Sequence, residues 1–494
     1  MDYLSFKSGT DIRGIACEGV QGEHINLTDE AVAAMTAGFL CWFEKRADKP
    51  LDNCTISLGH DSRISAERIK AAVSAVLVKC GVTVLDCGLS STPAMFMTTV
   101  DRGCDAAIQL TASHHPFNRN GLKFFTPAGG LEGSDITEIL TYANNGECPK
   151  EIGGGKVEKI DYMSRYAEIL RGKIIDGVGN DMPLKGFHIV VDAGNGAGGF
   201  YAENVLAPLG ADISGSQFLE PDGMFPNHIP NPENAVAMKS ISDATVKNHA
   251  DLGVIFDTDV DRASCVDSRG FEINRNRIVA LAASLALENC AGGTIVTDSV
   301  TSSGLKTFIE QDLGGKHYRY RRGYKNVIDR AIELNNDGIK TPLAIETSGH
   351  AAFMENYFLD DGAYLITKII IKAAQLKKQN KTIDMLIENL KEPKDAAEYR
   401  FKINTDDFKA YGESVIDKLE QYAAANGWDI ADDNREGIRV SLCGGWFLLR
   451  LSVHDPIMPL NIESDNEGGV KTIAEKLTPF FADFDALDTE CLKA

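Results

Sequence analysis

Short runs of β-branched and apolar residues recur along this chain, each closed by a turn rich in Gly, Asp or Ser. They include Thr55-Ile56-Ser57-Leu58, Val82-Thr83-Val84-Leu85, Ala106-Ala107-Ile108-Gln109-Leu110, Ile189-Val190-Val191, Val254-Ile255-Phe256, Thr294-Ile295-Val296 and Leu343-Ala344-Ile345. Helical stretches lie between them. Thr28 is placed to cap one that carries Asp29 and Glu30 in its first turn and runs from Ala31 to Lys45. Another begins near Asp361 and continues to Lys378, with Leu365, Ile369, Ala373 and Leu376 at helical spacing. Strands alternating with helices predict α/β layers.

The alternation falters after the charged segment Lys391-Glu392-Pro393-Lys394-Asp395. Beyond it, alternating strand patterns and one long helix, Thr405 to Asn426, predict an α+β domain. The glycine cluster Gly153-Gly154-Gly155 marks either a second boundary or a point from which the chain returns to the first domain before leaving it, and Ser268-Arg269-Gly270 reads as a hairpin turn near a third boundary. A chain of 494 residues has room for roughly three or four such domains.

The formal net charge of −21 argues against nucleic acid and anionic membranes as partners. An anionic substrate then requires positive charge concentrated at its site. The eleven cysteines show no CxxC pair, which fits a reducing cytoplasm better than a disulfide framework. With no basic n-region or long apolar h-region after Met1-Asp2-Tyr3-Leu4, no signal peptide is expected there, and the apolar stretch from Ile278 to Leu287 is too short to span a bilayer.

Several of the β-type runs open into loops that carry chemistry. Thr111-Ala112-Ser113-His114-His115-Pro116 follows Leu110, and Asn120-Gly121-Leu122-Lys123 comes soon after. A hydroxyl at a strand end with basic groups nearby suits phosphoryl transfer, where positioning and charge neutralisation do most of the work. Asp257-Thr258-Asp259-Val260-Asp261-Arg262 follows Phe256. Its alternating carboxylates can converge on one hard cation, and Arg262 can grip a phosphate beside it. An EF-hand is excluded, since its sixth and twelfth places hold Arg262 and Ser268.

Arg450-Leu451-Ser452-Val453-His454-Asp455-Pro456 offers an arginine, a hydroxyl and a histidine at alternate positions, a pattern either for a phosphate clamp or for a loop arginine paired with Asp455. Glu346-Thr347-Ser348-Gly349-His350 pairs a carboxylate with a hydroxyl, which suits vicinal sugar hydroxyls, but taken alone the segment reads better as an ordinary αβ loop. Gly9-Thr10-Asp11-Ile12-Arg13-Gly14 brackets an arginine with glycines. Asp192-Ala193-Gly194-Asn195-Gly196-Ala197-Gly198-Gly199 is glycine-rich but lacks a Walker lysine, so a tight strand-to-helix turn is the better reading.

Taken in order, these segments resemble the motifs of the α-D-phosphohexomutase superfamily, the phosphoglucomutases and phosphomannomutases, over nearly the whole chain. The resemblance implies four domains around a central cleft, three related α/β/α units and a C-terminal α+β domain. Their expected bounds are 1–165, 166–272, 273–392 and 393–494. It implies that Ser113 is a phosphoserine and a ligand, with Asp257, Asp259 and Asp261, of one Mg²⁺. Lys123 would be the general acid/base, with Arg262, Arg13 and His114 beside the chemistry. Glu346, Ser348 and His350 would read the sugar, and Arg450, Ser452 and His454 would hold the non-reacting phosphate. The implied activity is interconversion of mannose or glucose 1- and 6-phosphates through a hexose 1,6-bisphosphate, which also serves as activator. A phosphoglucosamine mutase and a non-catalytic binding protein on the same fold are the alternatives. A cytoplasmic monomer or homodimer is expected. His115, Ile345 and His454 with Asp455 depart from the family pattern.

Overall fold

The apolar runs pair into sheets whose faces are covered by the predicted helices. The computed structural model describes residues 1–433, 435–452 and 455–493. It divides into two units, Met1–Ile278 with Ser348–Met385, and Val279–Thr347 with Leu386–Ala494.

In the first unit, Thr55–His60 lies between Thr83–Leu89 and Ala106–Leu110, parallel to both. Arg119–Thr126 returns antiparallel to Ala106–Leu110 and pairs on its other side with Asp11–Ile15. The chain therefore leaves the carboxyl end of a central strand at Leu110, forms the Ser113 loop, and comes back through Lys123, which pairs with Gln109. Carboxyl ends of parallel strands are where α/β sheets place their sites. Thr28 caps the helix Asp29–Glu44 by accepting from Ala31 N at 3.2 Å. That helix packs so closely on Gly133–Asn144 that a side chain at Gly38 would meet Ile139 O at 2.3 Å. Phe39 stacks on Phe124 at 4.5 Å within the same core.

After Gly153-Gly154-Gly155 the chain returns to the first domain, where Lys156–Lys159 joins its sheet parallel to Thr83–Leu89. Gly155 serves close packing: a Cβ there would stand 2.5 Å from Val78 O. The long C-terminal helix spans Phe408–Ala425 and begins after Asp407, which accepts from Ala410 N at 3.2 Å, rather than at Thr405.

The second sheet of this unit pairs Ile189–Asp192 with Leu252–Phe256 in parallel, and Leu252–Phe256 with Ala263–Asp267 antiparallel. The Asp257–Arg262 segment is thus the tight connection between two paired strands. Ser268 to Gly270 forms the expected turn into Glu272–Ile273. The glycine-rich segment after Asp192 packs against the same connection. Ala197 N donates to Thr258 O at 2.8 Å, and a Cβ at Gly196 would lie 2.5 Å from that oxygen. It is a tight turn supporting the acidic loop.

In the second unit, Thr294–Thr297 lies between Lys316–Arg319 and Leu343–Ile345, parallel to both. The C-terminal sheet is antiparallel and runs Ile438–Leu442, Gly445–Leu449, Ile457–Ser464, Asp395–Ile403 in spatial order. Phe408–Ala425 and Gly469–Phe481 share one apolar core with it, as an α+β domain requires. Among the described residues no helix is long and apolar enough to cross a membrane.

Gly196→Ala is expected to lower the melting temperature, since overpacking of this kind costs about 1–3 kcal/mol. A thermal melt equal to the wild type's would refute the account of Gly196 as a contact glycine.

Candidate active site

Ser113 has its backbone in the left-handed region, at φ 50, and its side chain is buried. Its amide donates to Thr111 Oγ1 at 2.8 Å, and that hydroxyl donates to Asp61 Oδ2 at 2.7 Å. Ser113 Oγ accepts from Arg262 Nη2 at 3.0 Å and lies 3.3 Å from Asp257 Oδ2, to which it donates. His114 Nδ1 accepts from the same Arg262 nitrogen at 2.7 Å. Burial and the charge of Arg262 push His114 down to about 2, so the ring is neutral and free to accept. Burial and Arg13 likewise push His115 down to about 3. Arg13 itself pairs with Asp11 at 2.8 Å.

Asp257, Asp259 and Asp261 are all buried, and their ligand oxygens lie within 4.8 Å of one another. Val260 turns the loop between the last two with φ 67. Burial and the charge of Asp261 push Asp257 well above the carboxylate range, against Arg262. The same two causes push Asp259 up to about 6, against Lys123 and a hydrogen bond from Thr92. Burial would raise Asp261 too, but Lys123, His350 and Arg262 hold it below the usual range. Lys123 Nζ is 2.7 Å from Asp261 Oδ2 and 3.9 Å from Asp259 Oδ2. Asp259 Oδ1 and Asp261 Oδ1 have no hydrogen-bond donor among the described residues. Buried carboxylate oxygens without donors, converging from three side chains, fit a hard divalent cation.

His350 flanks this cluster, with Nδ1 2.5 Å from Asp360 Oδ2 and 3.9 Å from Asp261 Oδ1. Burial opposes its charge, but Asp360 and Asp261 outweigh burial and raise it to about 9. Ser113, His114, Lys123, Arg262, the three aspartates and His350 are therefore brought together in the first unit, and Ser348 belongs to that unit as well.

Glu346, Arg450 and Ser452 belong to the second unit. Glu346 is buried and accepts from Gly323 N at 2.6 Å. Thr347 donates to Asp298 Oδ2 at 2.7 Å. Arg450 is buried, which lowers its basicity, with Glu436 opposing and Arg322 adding like charge. Its Nε has no partner among the described residues, so it retains a donor for an anion. Ser452 Oγ accepts from Asp455 N at 3.3 Å. His454 lies outside the described residues.

Four contributors escaped the sequence reading. Thr92 donates through its amide to Asp259 O at 2.8 Å and through its hydroxyl to the Asp259 carboxylate. Asp360 pairs with His350, Arg63 donates to Ser113 O, and Gly323, after Arg321-Arg322, donates to Glu346. Thr92 and Arg63 are remote in sequence from the groups they touch, whereas Asp360 lies ten positions from His350; the glycine after two arginines, past the strand Lys316–Arg319, is the one local signal.

On the C-terminal sheet, Arg439 stacks 3.5 Å over the Trp446 ring, and Trp446 Nε1 donates to Glu463 Oε2 at 3.1 Å. Burial raises Glu463 to about 7, with Arg439 opposing. The folded chain then holds a proton that the unfolded chain releases near the ordinary carboxylate value. Stability from this group is present at acidic pH and is lost as pH rises through about 7. Glu463→Gln is expected to melt higher than wild type at pH 8 and nearly with it at pH 5. Equal melting differences at both pH values would contradict this.

Residues 7–148, 165–270 and 274–393 match the phosphoglucomutase/phosphomannomutase alpha/beta/alpha domains I, II and III, in that order. The phosphoglucomutase/phosphomannomutase of Thermococcus kodakarensis is 30% identical over 479 residues, covering 94% of this chain and 98% of its own. The phosphomannomutase of Escherichia coli K12 is 30% identical over 418 residues, covering 83% and 87%. Among solved structures, a phosphoglucomutase/phosphomannomutase family protein from Burkholderia thailandensis shares the fold with a TM-score of 0.81 at 24% identity, covering 98% of this chain and 99% of that one. With three family domains in order and full-length relatives, this chain belongs to the phosphoglucomutase/phosphomannomutase family of the α-D-phosphohexomutase superfamily.

Proposed function

We propose that the protein is a phosphosugar mutase, an isomerase that interconverts hexose 1-phosphate and hexose 6-phosphate with mannose or glucose as the sugar. The observation that carries this reading is one buried hydroxyl, Ser113 Oγ, held 3.0 Å from a permanent cation and 3.3 Å from one of three clustered carboxylates. The names of the Thermococcus and Escherichia relatives support the choice of sugar.

Ser113 carries the phosphoryl group. Transfer forms an oxygen–phosphorus bond to a sugar hydroxyl and breaks the one to Ser113 Oγ. The hydroxyl releases its proton and Oγ gains one. Arg262 already donates to Oγ, so its charge stabilises that oxygen as the bond breaks. His114, neutral and accepting from Arg262, fixes the guanidinium. Lys123, buried against Asp261, serves as the proton-carrying acid/base. Asp257, Asp259 and Asp261 would hold Mg²⁺ together with a phosphoserine oxygen. When bound, that ion supplies charge neutralisation for the phosphoryl oxygens.

Glu346, Ser348 and His350 read the sugar, and Arg450, Ser452 and His454 hold the phosphate that is not reacting, with Arg13 lining the site. After the first transfer, the hexose 1,6-bisphosphate returns its other phosphoryl to Ser113, and added bisphosphate primes the enzyme. The domain division is 1–165, 166–272, 273–392 and 393–494. The eleven cysteines are all unpaired, which supports a cytoplasmic protein; a monomer or homodimer is proposed.

A phosphorus NMR time course with Mg²⁺ and a trace of hexose 1,6-bisphosphate tests this. Glucose 1-phosphate and mannose 1-phosphate are expected to become 6-phosphates, and Ser113→Ala to lower turnover by about 10³-fold or more. Faster conversion of glucosamine 1-phosphate would reassign the sugar. Failure of all three esters with folded, Ser113-phosphorylated protein would overturn the mutase.

A further inference from the structure

Arg63 lies outside every loop that the site motifs mark. Its side chain and that of Asp61 are fully buried, with 0% exposure each. The guanidinium has five N–H donors, and the structure uses all of them. Nη1 donates to Pro116 O at 2.7 Å and to Arg119 O at 2.8 Å. Nη2 donates to His115 O at 2.7 Å and to Ser113 O. Nε donates to Asp61 Oδ2 at 3.2 Å. Four of the five acceptors are thus main-chain carbonyls of one segment, 113–119, which carries Ser113.

Asp61 completes the arrangement from the other side. Its Oδ1 accepts from Arg63 N at 2.9 Å, and its Oδ2 accepts from Thr111 Oγ1 at 2.7 Å. Thr111 Oγ1 in turn accepts from Ser113 N at 2.8 Å. Ser113 is therefore held by both its amide and its carbonyl, and its backbone keeps φ 50. A further loop closes over the arginine: the Phe225 ring lies 5.3 Å from its guanidinium carbon, and a Cβ at Gly223 would stand 2.5 Å from Ser62 O and Ile64 N. Carbonyls that all turn toward one buried cation force the segment to curl around it. Side chains on the curl then point outward, which is where Ser113 Oγ meets Arg262 and Asp257. A lysine cannot replace this, because its three donors lack the planar fork that reaches acceptors on several sides.

We propose that Arg63 is a positioning residue for phosphoryl transfer, shaping the 113–119 loop so that Ser113 Oγ is presented to Arg262 and the acidic cluster. This rests on the reading of Ser113 as phosphoryl carrier. The chemistry needs reacting atoms aligned closely, and misplacement of about 1 Å can cost about 100-fold in rate.

The test compares wild type, Arg63→Lys and Thr111→Val in three measurements: steady-state kinetics on glucose 1-phosphate, thermal melting, and amide hydrogen exchange of the substrate-free enzyme. Arg63→Lys is expected to lower kcat by about 100-fold while KM stays within about threefold. Its exchange should accelerate within 111–119 and not elsewhere in the first unit. Thr111→Val should move kcat and exchange in the same direction by less, and it decides the matter if Arg63→Lys does not fold. Wild-type kcat with wild-type exchange in 111–119 overturns the proposal. So does a loss of kcat that tracks accelerated exchange across the whole unit, which marks general destabilisation. If the wild-type enzyme turns over none of the phosphosugars, the mutase reading fails on that ground, and exchange in 111–119 still decides whether Arg63 holds the loop.

Discussion

Mutual repulsion among Asp257, Asp259 and Asp261 is the constraint to which the first unit answers. Their oxygens lie within 4.8 Å of one another on buried side chains. Each ionised pair at such a separation repels by about 3–4 kcal/mol even with generous screening. Cations surround them in response. Lys123 pairs with Asp261, Arg262 with Asp257, and His350 stays protonated beside Asp261. These compensating groups are also the ones the proposed chemistry calls on, so balancing charge and handling phosphate are one arrangement. The overall excess of acid in the chain is no obstacle to an anionic substrate when positive charge is gathered at this point.

Two loops from different sheets act as a single device. The serine loop leaves the carboxyl end of Ala106–Leu110, and the acidic loop joins Leu252–Phe256 to Ala263–Asp267. They meet at Ser113 Oγ. Thr92, at the start of the helix Thr92–Asp101, ties Asp259 to the first sheet's layer, and the glycine-rich turn after Asp192 presses on Thr258. Rigid elements thus fix the relative placement of hydroxyl and carboxylates, which suits chemistry that depends on preorganisation.

Much of this was legible in the residues. Every β-type run singled out forms a strand, because β-branched residues bounded by turn formers leave few other options. Ser113, Lys123 and the three aspartates gather in one cluster. Capping chemistry read well at Thr28, and the helix expected near Asp361 does begin there, whereas the Thr405 start failed because Asp407 is the residue that caps. What could not be read was contact at a distance. Arg63 lies 50 positions from Ser113, whose carbonyl it binds. No periodicity encodes that pairing, since it depends on how neighbouring strands are ordered in the sheet. Within the glycine cluster at 153–155, only Gly155 answers to packing, against Val78 and Val82, and that too is contact at a distance.

The left-handed backbone at Ser113 bears on which residue can occupy the position at all. Threonine offers the same hydroxyl and the same phosphate ester. Its β-branch, however, crowds a backbone at φ 50, where bulky side chains are rarely accommodated. Glycine and asparagine would fit that backbone but carry no phosphate. Threonine there would carry a backbone cost that serine avoids, the same cost that the β-branched Val260 bears at φ 67 in the acidic loop. Serine is therefore favoured twice, once by reactivity and once by shape.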